Sequence, residues 1–321
     1  MPPASLHWTR LLPQGFIRLI LLLACATAAP ANERTSPRML LLDGAKAGPN
    51  RVVVVGERGA IFLSSDNGET WNAVPSGTSE TLTGVAFSDD NHGWAVGHGG
   101  IVLATRDGGL SWRRELKDES VQTSFLDVVT LDEHTVVIVG AFGAIRATPD
   151  SGISWTTPDV PDNEPHLNRI LVDPKGALWA VGEAGTVLTS KDRGVTWSSL
   201  ASPEPAVSLY GAQFVGSGVL LVHGLRGHLY RITLADNTWE QVPNEHPVML
   251  SASCRLATGD ILFAGAARWF LISSDEGKTV RRIRLPATTA VAELIRLPYR
   301  RVLALGEAGV TLVDLDERSA P

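Results

Sequence analysis

The stretch SSDNGETW, residues 64–71, returns in near-copies along the 321-residue chain. TRDGGLSW occupies 105–112, TPDSGISW 148–155, SKDRGVTW 190–197, and SSDEGKTV 273–280, where the final Trp is lost. Each copy carries an Asp, a Gly two residues later, then a Ser or Thr. An Asp in a tight turn accepts hydrogen bonds from backbone N–H groups of its own turn. The Gly takes positive φ without steric cost. The stretch therefore reads as a turn, with Asp66, Asp107, Asp150, Asp192 and Asp275 as its staples. A calcium loop is unsupported, because each copy offers one carboxylate and no Glu at the twelfth position.

A second periodic signal frames the first. A Gly follows an apolar run at Gly56, Gly97, Gly140, Gly182, Gly224, Gly265 and Gly306, spaced 41 to 43 residues apart. Another Gly stands three residues on in GERG, GHGG, GAFG, GEAG, GLRG and again GEAG; GAAR is the exception. Within one unit, residues 81–117, the segments TLTGVAFSD, HGWAVG, GIVLAT and SWRRELK read as four short strands bounded by Gly, Asp and Asn. Helical periodicity is missing throughout. Four antiparallel strands per unit, seven times over, predict an all-β, seven-bladed β-propeller. The Asp-box turns fall between the third and fourth strands. Trp71, Trp112, Trp155 and Trp197 are expected to start the outer strands and pack inward. Trp94 and Trp179, at matching second-strand positions, read as core.

Composition sets the outer limits. Hydrophobic content of 44% and charged content of 19% fit a globular core, and a net charge of −6 argues against nucleic acid as partner. At the N-terminus, Arg10 and Arg18 precede an apolar run and then small residues, the order of a secretory signal peptide over residues 1–28. The run is too short to span a bilayer. The propeller is then assigned to 29–321. LLAC at 22–25 offers a competing lipoprotein reading, with Cys25 acylated and the protein tethered to a membrane face. Both readings predict an exported protein, periplasmic or lipid-anchored. Cys25 and Cys254 are the only cysteines, so a cleaved chain forms no bridge. Cys254, in VMLSASCRLA, reads as a small buried side chain. No metal-ligand spacing of Cys or His is visible, and no metal or cofactor is expected.

The strings GHGGIVLATRDGGLSW and GEAGTVLTSKDRGVTW, with DDNHGWAVG at 89–97, resemble the photosystem II stability and assembly factor family of exported propellers. The resemblance spans residues 38–315. It weakens at LYRITLADNTW (229–239), and the last unit ends in VTLVDLDERSAP with no outer strand. Residues 29–37 contain Pro30 and Pro37, so closure of the ring is expected to be open or partial. The resemblance implies a non-catalytic assembly factor that binds a membrane-protein subunit during its insertion into a complex, and a monomer is expected.

Two groups of residues are candidates for recognition. The hairpins after the second strands present Glu57, Arg58, His98, Phe142, Glu183, Arg226, Trp269 and Glu307 around the rim opposite the Asp boxes. Exposed aromatic and Arg side chains suit a protein contact. Asp127 and Arg169 fall at equivalent register on adjacent inner strands, as a blade-locking ion pair or as part of the recognition surface. The rival class is a sialidase-type glycoside hydrolase, which needs an Arg cluster and a Tyr nucleophile beside a Glu. Of the three Tyr, only Tyr210 falls on an inner strand, and the connections are too short for a catalytic pocket. A sugar-binding propeller and an envelope scaffold for a transporter complex are further alternatives.

Overall fold

The second strand of each repeat explains the architecture. The computed structural model describes residues 36–117, 124–160, 165–203, 206–216, 218–285 and 289–315. The expected signal segment, Cys25 included, lies outside them. Val52–Gly56, Gly93–Gly97, Val136–Gly140, Leu178–Gly182 and Ile261–Gly265 are buried at every position. A strand covered on both faces reads as a continuous apolar run instead of an alternating one. In blade 1, Val53 and Val55 pack with Leu82, Val85 and Ile101 of blade 2. Val52 and Val54 face the other way, onto Leu303 and Leu305 of blade 7. Each such side chain is worth about 1.5–3 kcal/mol when fully buried. Seven clusters of this kind among the described residues, one per junction between blades, form the core.

The sheets are antiparallel throughout, five of four strands and two of three among the described residues. In blade 3 the outer strand shrinks to a bridge between Ala147 and Thr156. In blade 7 the third strand, Gly309–Asp314, is the last one described. The expectation of open or partial closure is corrected by packing. Leu41, Val52, Val54 and Trp71 share one cluster with Ile295, Leu303, Leu305 and Val310. The Val310 N–H also donates to the Pro37 carbonyl at 3.3 Å, much as Gly143 donates to Pro165 in the blade 3 to blade 4 connection. Among the described residues, packed blade faces close the ring.

The recurring Gly at the end of each second strand has a steric cause. Gly97 is extended, with φ −174°, so conformational freedom is not the reason. A Cβ on Gly97 would lie 2.1 Å from the Thr81 carbonyl oxygen, and one on Gly56 2.1 Å from that of Leu40. The same crowding recurs at Gly140, Gly182, Gly224, Gly265 and Gly306. That carbonyl accepts a hydrogen bond from the next N–H, as Glu57 to Leu40 at 3.0 Å and His98 to Thr81 at 2.9 Å. The inner strand bulges beside each contact, for example between Leu41 and Asp43 and between Leu167 and Arg169.

The Asp boxes are self-contained turns. In blade 2, Asp107 Oδ1 accepts from the Thr105 hydroxyl at 2.8 Å and the Ser111 N–H at 2.9 Å, and Oδ2 from the Ser111 hydroxyl at 2.5 Å. Thr105 Oγ1 in turn accepts from the Gly109 N–H at 2.9 Å. Asp66, Asp150, Asp192 and Asp275 repeat the pattern. The Thr196 hydroxyl and N–H hold Asp192 down to about 2. Trp71 and Trp197 are buried as expected and donate from Nε1 to the Gly68 and Gly194 carbonyls. Trp112 and Trp155 are only half-buried.

Two denaturation experiments check these assignments. Gly97→Ala should destabilise by about 2 kcal/mol or more through overpacking against backbone. Gly218→Ala, where a Cβ meets nothing within 4 Å, should change stability by less than about 0.5 kcal/mol. Asp107→Ala should cost about 1–2 kcal/mol, from N–H groups of an exposed turn left unpaired.

Candidate functional site

Beside the bulges, the third residue of every inner strand recurs at one register. Around the ring these are Asp43, Gly84, Asp127, Arg169, Gly211, Ala252 and Glu293. Those of blades 2, 5 and 6 are small, and Arg169 reaches the three acidic ones. Its Nη1 lies 2.7 Å from Glu293 Oε2 and 3.8 Å from Asp43 Oδ1, and its Nε lies 3.4 Å from Asp127 Oδ2. One guanidinium from blade 4 thus joins blades 1, 3 and 7. The expected Asp127–Arg169 pair is present, but it is one arm of a larger cluster. Asp43 and Glu293 were not anticipated, although their register in LLDGAK and VAELIR matches that of Asp127.

The carboxylates also tie neighbouring backbones. Asp43 Oδ2 accepts from the Val85 N–H at 2.7 Å, and Asp127 Oδ2 from the Ile170 N–H at 2.8 Å, each on the following blade. One position earlier, the Thr83 hydroxyl, Asn168 amide and Ser251 hydroxyl donate to the carbonyls of Phe125, Leu209 and Val291 on the next blade. Burial pushes Asp43 well above the usual carboxylate range, with Arg169 opposing it. Asp127 and Glu293 are raised for the same reason. Burial opposes the charge on Arg169 too, but the three carboxylates outweigh it and raise its pKa. The Arg169 side chain remains 33% exposed, so the cluster opens into the channel.

His223 is fully buried between blades 5 and 6. It fills the space left by Gly211, where a Cβ would meet its ring at 2.3 Å. Its Nδ1–H donates to the Leu250 carbonyl at 3.1 Å, and Nε2 lies 2.9 Å from the Ser253 hydroxyl. Burial lowers His223 to about 4, and the Arg169 charge adds to the effect. Burial also pushes the Cys254 thiol up to about 12, which makes it an inert core side chain as expected.

The hairpins at this end of the inner strands form the rim. Arg58, Phe142 and Arg226 sit at their tips with φ near +55° and project into solvent, Phe142 with 63% exposure. His98 is exposed beside them. Phe142 meets His166 edge-on at 4.7 Å, and Glu183 stands 4.0 Å from the same imidazole. In blade 6 the Arg268 backbone takes the left-handed conformation and Arg268 becomes the exposed tip. Trp269 is instead half-buried, 4.3 Å from His246 and with the Arg282 guanidinium 3.4 Å over its ring. A cleft of about 610 Å³ opens beside Arg58, lined by Met39, Phe62, Val74 and Pro75. Its lining continues from Ala73 to Ser79, into the connection to blade 2. Tyr210 lies half-buried on the blade 5 inner strand, whereas Glu183 sits on the blade 4 rim beside His166.

The comparisons with known proteins agree with this architecture. The family described as Photosynthesis system II assembly factor YCF48 matches residues 71–166. A 47-residue segment is 51% identical to the photosystem II stability/assembly factor HCF136 of Cyanidioschyzon merolae, covering 14% of this chain and 11% of that one. The photosystem II assembly lipoprotein Ycf48 of a Picosynechococcus species is 28% identical over 116 residues, 34% of either chain. The matched stretches thus span about a third or less of these relatives' length. A solved structure of YCF48 bound to a D1 peptide superposes with a TM-score of 0.70 at 22% identity, covering 87% of this chain and 96% of that one. Likeness at that identity shows the fold. The chain is a seven-bladed Asp-box propeller resembling the photosystem II assembly factors, as its repeat strings implied.

Removing the hub should be costly in a pH-dependent way. Arg169→Met leaves three buried carboxylates without their cation and should destabilise by about 3 kcal/mol at neutral pH. With the Arg gone, the folded-state carboxylate pKa values rise further above their unfolded values. The stability these groups contribute is then present at low pH and lost as pH rises through the folded pKa. Urea denaturation should therefore show a smaller deficit near pH 5 than near pH 7.5.

Proposed function

We propose that the protein is an exported, non-catalytic propeller that binds an extramembrane segment of a membrane protein. The rim opposite the Asp boxes carries the contact. The observation behind this reading is the set of hairpin tips, where Arg58, Phe142, Arg226 and Arg268 project side chains that burial elsewhere does not require. Each tip rests on a Gly–carbonyl contact and a short turn, so little ordering is lost on binding. Glu183 and His98 complete the rim, and Asp127 and Arg169 lie at the channel mouth it surrounds. Two relatives support the partner class. One is named a photosystem II assembly lipoprotein, and a structural neighbour is a YCF48 bound to a D1 peptide. The lipoprotein name also favours export, by acylation of Cys25 or by cleavage after the leader. Among the described residues no helix is long and apolar enough to cross a membrane.

A second reading has its own observation. Leu110, Ile153 and Val195 occupy the same position in three successive Asp-box turns and are exposed by 62%, 87% and 68%. They place an apolar arc on the opposite face.

Co-purification from detergent-solubilised envelope membranes separates the two. The combined variant Arg58→Ala, Phe142→Ala, Arg226→Ala and Arg268→Ala should lose the partner while its melting midpoint stays near that of the parent. Trp269 is left in place because its stacking on Arg282 and His246 supports the hairpin. Interfaces concentrate their energy in such residues, about 2 kcal/mol or more for a single one. Binding that survives these changes but is lost with Leu110→Ser, Ile153→Ser and Val195→Ser would move the contact to the Asp-box face. A hydrolase activity abolished by Tyr210→Phe or Glu183→Gln would overturn the non-catalytic reading.

A further inference from the structure

The Asp-box face carries a cluster of donor groups that no repeat motif signals. Asp89 and His92 lie in the hairpin between the first and second strands of blade 2, and Glu133 lies in the corresponding hairpin of blade 3. One donor atom from each falls within 4.8 Å of the others. His92 and Glu133 border a cleft of about 160 Å³ between the two blades, also lined by Trp94, Thr105, Arg106, His134 and Ser151.

The donors are held by structure outside the cluster. The Gly108 N–H of the blade 2 Asp box donates to the Asn91 carbonyl at 2.9 Å, which fixes the Asp89–His92 hairpin. The Ser151 N–H of the blade 3 Asp box donates to the His134 carbonyl at 2.9 Å and fixes the other. Asp89 Oδ1 accepts from the N–H groups of Asn91 and His92 at 2.7 and 2.9 Å. Partial desolvation raises the Asp89 pKa, but these bonds and the His92 ring outweigh it and keep the carboxyl below the usual range. His92 Nδ1 lies 2.8 Å from Asp89 Oδ2. His134 Nε2 lies 3.1 Å from Glu133 Oε1, and its Nδ1 2.9 Å from the Ser151 hydroxyl.

We propose that this cleft binds one divalent cation of the zinc class through Asp89, His92 and Glu133. Two carboxylates and one imidazole form a mixed oxygen–nitrogen donor set, which suits a borderline ion. Magnesium and calcium prefer all-oxygen sites. The imidazole binds as the neutral ring, and the ion takes the place of the proton that His92 Nδ1 and Asp89 Oδ2, 2.8 Å apart, share in the metal-free chain. Bound there, the ion ties blade 2 to blade 3 across a junction whose outer strand is reduced to a single bridge.

Calorimetric titration of the EDTA-treated full chain with zinc chloride tests this, with magnesium chloride as comparison. One zinc ion should bind per chain, magnesium should not, and zinc should raise the melting midpoint. His92→Ala and Glu133→Gln should each weaken zinc binding by about tenfold or more, with metal-free melting unchanged. X-ray absorption of the zinc-loaded parent chain should show oxygen and nitrogen donors with one imidazole. Absence of stoichiometric binding, variants that bind as tightly as the parent, or a site with sulfur or several imidazoles would each overturn the proposal.

Discussion

The contact on which this propeller depends is the approach of a carbonyl oxygen to a glycine that has no room for a side chain. It occurs once in every blade, at the end of the second strand. The carbonyl is then locked by the next N–H. Two consequences follow from the one contact. The inner strand is forced into a bulge beside its third residue, and the chain is released into a tight hairpin that forms the rim. Channel chemistry and rim chemistry are therefore set by the same backbone event, repeated at 41 to 43 residues.

The two faces use their polar groups differently. In the Asp boxes, each Asp carboxylate satisfies the hydroxyl and N–H groups of its own turn, and little of it is left for a ligand. At the rim, the tips hold Arg and Phe side chains whose polar or aromatic ends meet solvent. Between the faces, hydroxyl, amide and carboxylate groups of the inner strands reach forward to the next blade's backbone. Arg169 then gathers charges from blades 1, 3 and 7. A ring made this way is stiff through its polar channel as well as its apolar junctions. Such a scaffold supports recognition, and it hosts many functions on other chains.

Much of this was legible in the sequence because each blade is a local unit. The strand lengths, the Asp-box turns and the number of repeats all follow from contacts within about 42 residues. What escaped depends on distances around the ring. Asp43 and Glu293 lie 250 residues apart in the chain and meet only because blades 1 and 7 are neighbours. Closure was misjudged because the strand pattern of one unit is visible in sequence, whereas face packing between Val54 and Leu305 is not. The blade 3 outer strand reads like the others in GISW, yet its pairing stops at Thr156. Trp269 looked like a free aromatic, since nothing local shows Arg282 and His246 closing over it. Asp89, His92 and Glu133 escaped because the third donor comes from the following blade.

The central claim is that the hairpin rim, and not the Asp-box face, meets the partner. Photo-crosslinking in the intact envelope tests it directly, with a benzophenone side chain placed at Phe142 in one protein and at Ile153 in another. Both positions are exposed and apolar, in the same blade, at opposite ends of the channel. The account predicts a discrete membrane-protein adduct from position 142 and none from position 153. The reverse pattern would contradict it.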